Sequence, residues 1–153
     1  MTDLVIYYSR TNNTKLVADT IANEKDAKLV EVHDKKNRNG ALQYMIGAFD
    51  AMRGKSTTIE YEAIDLASYD TVYIGTPVWA SKPAPAITEF IKVNDFNGVN
   101  VILFATMGSQ GGNQTIETMG KLIEEKGGNV IRSFAIAVKN NDLKKLTMDA
   151  LND

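Results

Sequence analysis

The chain has 153 residues, a net charge of −2, 24% charged and 44% hydrophobic residues, the proportions of one ordinary globular domain. It has no cysteine and one histidine, His33, which excludes disulfides, thiolate chemistry, Fe–S clusters and Cys-based zinc sites, and leaves little for a His-based metal centre or a Ser-His triad. The near-balanced charge argues against a nucleic-acid partner, and any redox or group-transfer chemistry is expected to arrive with a bound cofactor.

Five apolar, β-branched runs mark strands in chain order: Leu4–Tyr8, Lys28–Val32, Thr71–Gly75, Asn100–Ala105 and Val130–Val138. The first, third and fourth are nearly continuous in apolar residues. Such strands are covered on both faces, as in a parallel sheet between helices. The run from Lys28 is flanked by charge and is expected nearer an edge.

Helical spacing fills the gaps. Thr14–Asn23 places Leu16, Val17, Thr20 and Ile21 on one face, and Ala41–Arg53 repeats Leu42, Met45, Ile46, Phe49 and Met52. Ala84–Val93 presents Ile87, Phe90 and Ile91. Gln114–Lys126 presents Ile116, Met119, Leu122 and Ile123 and stops at Gly127-Gly128. Asn141-Asp142 can cap a last helix bearing Leu143, Leu146 and Leu151. The long connection from His33 to Asp70 has room for a short extra strand around Thr58–Tyr61. Alternating strands and helices predict a single α/β domain over residues 1–153, with right-handed crossovers. The N-terminus lacks a basic leader and no run approaches the roughly 18 apolar residues of a spanning helix, so no membrane insertion and a cytoplasmic location are expected.

Ligands of open α/β sheets bind beyond the carboxyl ends of the strands. Three loops leave such ends. Ser9-Arg10-Thr11-Asn12-Asn13-Thr14 gathers hydroxyls and amides at a helix N-terminus, where free N–H groups and the helix dipole favour an anion such as a phosphate monoester. Thr11 or Asn13 reads equally well as a plain N-cap. Thr76-Pro77-Val78-Trp79-Ala80 carries the single tryptophan, whose indole offers a flat face to a planar ring or covers the core. Thr106-Met107-Gly108-Ser109-Gln110-Gly111-Gly112 is glycine-rich, so its main chain can approach a heterocycle or serve as a flexible turn.

With these three loops in place the whole chain resembles the flavodoxin family. Ser9-Arg10-Thr11-Asn12-Asn13-Thr14 is similar to that family's phosphate loop, (S/T)-x-T-G-x-T, with Asn12 standing where glycine is usual. The resemblance implies a three-layer αβα sandwich, a five-stranded parallel sheet in the order 2-1-3-4-5, and FMN as cofactor. It implies that Ser9, Thr11, Asn13 and Thr14 hold the phosphate, with Arg10 and Asn12 in the same loop. Thr76, Pro77, Val78 and Trp79 would line the ring, next to Ala80. Thr106, Met107, Gly108, Gly111 and Gly112 would face its polar edge. The third loop has no aromatic residue, which leaves Trp79 as the stacking partner unless Tyr44 or Phe49 reaches over.

The function implied is electron transfer between redox partner proteins, as a monomer or weak dimer, with no catalytic side chain and no metal ligand. The alternatives are an NAD(P)H-dependent FMN or quinone reductase on the same fold, and a flavin-free anion-binding or regulatory module. The modest net charge keeps the reductase in view. A receiver domain shares the topology but needs an acidic cluster after the first strand, where Tyr8-Ser9-Arg10 has none. His33 reads as a surface histidine, and the Met45/Phe49/Met52 stripe as core or cofactor lid.

Overall fold

The computed structural model describes residues 2–35 and 57–153, with Ile46 between them. The expected helix Ala41–Arg53, with Tyr44 and Phe49, lies outside the described residues apart from Ile46.

Five parallel strands form the sheet: β1 (Leu4–Tyr7), β2 (Lys28–Glu31), β5 (Val72–Trp79), β7 (Asn100–Met107) and β8 (Asn129–Ala137), in the order β2-β1-β5-β7-β8. This is the order 2-1-3-4-5 once the short strands are set aside. Those are β3 (His33–Asp34) paired antiparallel with β4 (Ile59–Glu60), and β6 (Lys82–Pro83), which folds back on the end of β5. The extra strand expected around Thr58–Tyr61 is β4. As its flanking charge suggested, β2 lies at an edge.

Strand alternation divides the core in two. Leu4, Ile6, Val72, Ile74, Val101 and Leu103 point to one face, where α2 (Pro85–Val93) and α3 (Gly112–Glu125) add Ile87, Phe90, Met119 and Ile123. Val5, Tyr7, Tyr73, Ile102 and Phe104 point to the other, beneath α1 (Asn13–Lys25) and α4 (Leu143–Asn152), which add Val17, Ile21 and Leu151. Both faces of the central strands are therefore dry, as continuous apolar runs require. Gly75 fits because the Phe104 ring lies where its side chain would be: a β-carbon there would come within 2.0 Å of Phe104 Cζ.

Helix ends follow local chemistry. The Asp142 side chain accepts a hydrogen bond from Lys145 N at the start of α4. Gly127, at φ +85°, closes α3, with Gly127 N and Gly128 N donating to the carbonyls of Glu124 and Ile123. In β5 the strand runs four residues past the expected end, through Trp79, because Thr76 and Pro77 keep register with Ala105 and Thr106 of β7. None of the described helices is long and apolar enough to cross a membrane.

Candidate functional site

β1, β5, β7 and β8 all end at one cavity of about 120 Å³. It is lined by Arg10, Thr11, Asn13 and Thr14 from the β1–α1 connection, by Pro77, Val78 and Trp79 from β5, by Thr106, Met107 and Gly108 from β7, and by Val138 after β8. The cavity is smaller than the roughly 300–1,000 Å³ of sites that enclose a whole small-molecule ligand. It therefore suits one end of a ligand whose remainder lies across the mouth.

At the α1 end the chain turns sharply. Asn12 caps the helix at φ 73° and ψ −2°, a left-handed conformation that asparagine tolerates better than most residues, and its side chain makes no capping bond. The N-cap is thus Asn12, and neither Thr11 nor Asn13 fills that role. The first N–H groups of an α-helix have no partner within the helix, and such a terminus favours an anion. Ser9 Oγ is buried and has no hydrogen-bond partner among the described residues. Burying a hydroxyl without a partner costs roughly 1–3 kcal/mol, so such a group is expected to serve a ligand or a bound water. Thr14 Oγ1 lies 2.8 Å from Thr106 Oγ1, both buried, which fixes the helix start against the end of β7.

The opposite bank is built differently from the expectation. Trp79 is only 2% exposed and sits in the core, edge-on to Tyr8 with ring centroids 5.7 Å apart and planes at 87°. Its indole closes the cavity floor and leaves no broad exposed face for a second ring. Trp79 is the last residue of β5, where the strand pairs with β6, and it packs with Leu4, Ile6 and Ile74 on the face opposite Tyr73, although strict alternation would place residues 73 and 79 together. Thr76, unlike Pro77, Val78 and Trp79, does not line the cavity. Its hydroxyl donates to Pro77 O at 2.9 Å and accepts from Ala84 N at 2.9 Å, which ties β5 to the start of α2.

Ala80 and Ser81 form the two-residue turn between β5 and β6, both at positive φ, 51° and 61°. A turn of that kind matches strand twist but is normally built from Asn and Gly. Gly111 starts α3 at φ 95°. A β-carbon there would lie 2.8 Å from Val78 Cγ1 and 3.3 Å from Ser81 Cα. A β-carbon on Gly112 would lie 2.6 Å from Ala135 Cβ. These two glycines are therefore required by packing against the turn and β8, and they do not line the cavity. Gly108 does line it, and a β-carbon there would meet nothing within 4 Å. Ser9, Asn12 and Ala80 stand beside the cavity lining in sequence, within the loops that frame it.

Val138 is the lining residue that sequence reasoning missed. It directly follows β8, and its N–H bonds Met107 O at 2.9 Å, which carries the ladder one step into the site. A fourth strand end beside the three chosen loops was the available signal. Taken together, the lining residues supply hydroxyls, amides, main chain, apolar surface and one guanidinium, Arg10; none is a carboxylate, imidazole or thiol. His33 lies elsewhere, exposed and 3.9 Å from Glu31.

The architecture is an αβα sandwich with a hydroxyl-rich loop at the start of its first helix. The family model described as Flavodoxin matches residues 2–145. The chain belongs to the flavodoxin family. A flavoprotein from Lactobacillus acidophilus NCFM, crystallised in complex with FMN, is 28% identical, over 88% of this chain and 92% of that one, with a TM-score of 0.74. A protein from Bacteroides uniformis ATCC 8492 is 25% identical over 99% and 98% of the two chains, with a TM-score of 0.81. The two-electron reduced flavodoxin of Megasphaera elsdenii, 20% identical over 99% of each chain at a TM-score of 0.59, shares the fold. No curated protein matches the chain.

Proposed function

We propose that this protein binds FMN and carries electrons between redox partner proteins. The observation that carries the binding half is the buried, unpartnered hydroxyl of Ser9 beside the left-handed Asn12 and the open N-terminus of α1. These groups fit a phosphate monoester, which offers several acceptor oxygens to short donors. Family membership and the FMN complex of the Lactobacillus relative support the same ligand.

When bound, FMN supplies reversible uptake and release of electrons, chemistry that none of the protein's own side chains provides. The residues have narrower tasks. Ser9, Thr11 and Thr14 would donate to the phosphate together with the N–H groups of α1, and Arg10 would offset its charge. Asn12 holds the turn that aims those donors. Pro77, Val78, Met107 and Val138 exclude water along the cavity wall, and Gly108 lets the main chain approach the polar edge of the ring. Trp79 supports that wall from below.

The test compares FMN with riboflavin, which lacks the phosphate. Ser9→Ala removes a donor that has no partner within the fold, so apoprotein stability should stay the same or rise slightly. A hydrogen bond to a charged group contributes roughly 1.5–3 kcal/mol, so FMN should bind about 10- to 100-fold more weakly, with riboflavin unchanged. Equal losses for both ligands would remove Ser9 from the phosphate site. A purified protein that is colourless and leaves added FMN fluorescence unquenched would overturn the cofactor assignment itself.

A further inference from the structure

The cavity mouth does not share the net negative charge of the chain. Two lysines stand on its rim, each next to a lining residue. Lys82, in β6, pairs across the turn with Trp79, and exposed Lys139 follows Val138. Neither forms an ion pair with a described residue. Arg10, from the β1–α1 connection, lines the cavity itself. Among the described residues of the four loops that frame the mouth, the one carboxylate is Asp142, and it is engaged in capping α4 through Lys145 N at 3.1 Å.

We infer that this rim is a docking surface for a redox partner that presents carboxylates around its own exchange site. The inference rests on the FMN reading above, since electrons must cross at this mouth. A bound phosphate brings about −1.5 to −2 charges, but at the α1 end, where Arg10 and the helix dipole offset it. Lys82 and Lys139 instead neighbour lining residues of β5 and of the segment after β8. Their separation onto a hairpin turn and a post-strand loop suits a broad acidic protein surface. A dinucleotide would instead need a second built phosphate site. Two other cavities among the described residues, near β2 and along α1, include Glu31, Glu60 and Glu62, and Asp19, and the chain has no G-x-G-x-x-G run.

Local charge steers encounter and is screened by salt, so the sign of the salt dependence reports the charge at the mouth rather than that of the whole protein. The experiment uses the FMN-loaded protein, photoreduced and then mixed with ferricyanide, hexaammineruthenium(III) or the basic haem protein cytochrome c at increasing ionic strength. Retention of the flavin absorbance is checked first, and its loss would count against the cofactor and not against the docking surface. For wild type the ferricyanide rate should fall roughly threefold as salt is raised, while the two cationic oxidants speed up. Lys82→Gln/Lys139→Gln should flatten or reverse these slopes with the FMN affinity unchanged. Slopes of the opposite sign, as the net charge of −2 would give, would overturn the inference. So would slopes identical in wild type and variant. Rapid flavin bleaching by NADPH that disappears in the double variant would assign the lysines to a nucleotide and overturn the protein partner.

Discussion

The two banks of the cavity have similar polar, small-residue compositions, yet they spend their atoms in opposite ways. On the α1 bank a buried hydroxyl is left without a partner among the described residues, Asn12 makes no capping bond, and the turn is held by its left-handed backbone. On the β5–β7 bank, Thr76 bonds Ala84, Trp79 fills the core, and Gly111 and Gly112 make room for Val78 and Ala135. Residues that look ready for a ligand are consumed by the fold on one side and available on the other. Composition locates a binding loop; only the accounting of partners shows which atoms remain for the ligand.

The largest effect that could break this contrast is at Trp79. If it is core, Trp79→Ala should destabilise the apoprotein by about 3–5 kcal/mol, read as a lower urea midpoint with or without FMN. Trp79→Phe should recover much of that stability. If Trp79 were instead mainly a stacking face, Trp79→Ala would leave the apoprotein nearly intact and lose only flavin affinity.

A matched pair of glycines sharpens the comparison within one loop. Gly111→Ala places a β-carbon 2.8 Å from Val78 at φ 95°, and overpacking with backbone strain should cost about 2–4 kcal/mol of stability. Gly108→Ala adds its methyl group to open space, so the urea midpoint should move by less than about 0.5 kcal/mol equivalent. Its effect should fall on FMN affinity, measured by fluorescence quenching. The opposite pattern would exchange the roles assigned to the two glycines.

Much of the architecture was legible because it rests on period and punctuation. Continuous apolar runs gave β1, β5 and β7, and a glycine pair and an Asx cap marked the end of α3 and the start of α4. The turn into α1 was legible for a related reason: helix-start chemistry is local, and Asn12 adopts the positive φ that the turn needs. The full extent of β5 was not legible, because strand length is decided by the neighbour. Pairing of Thr76 and Pro77 with β7 carries β5 onward to Trp79, and no residue of the loop itself announces that pairing. The fates of Gly111 and Gly112 were hidden for the same reason, since Val78 and Ala135 are distant in sequence.

The smallest effect concerns the turn that joins the banks. Ser81 stands at φ 61°, a conformation that costs an L-residue roughly 1–2 kcal/mol and glycine almost nothing. Glycine brings back an entropic cost of about 0.5–1 kcal/mol through the unfolded chain. Ser81→Gly should therefore stabilise the apoprotein by about 0.5–1 kcal/mol, visible as a raised urea midpoint at constant slope. The substitution also removes the hydroxyl that lies near the Gly111 loop, where a β-carbon on Gly111 would meet it at 3.1 Å. A lowered midpoint would show that this packing outweighs the backbone strain. The β5–β6 turn would then belong with the glycines it touches, as a part of the bank whose residues are committed to the fold.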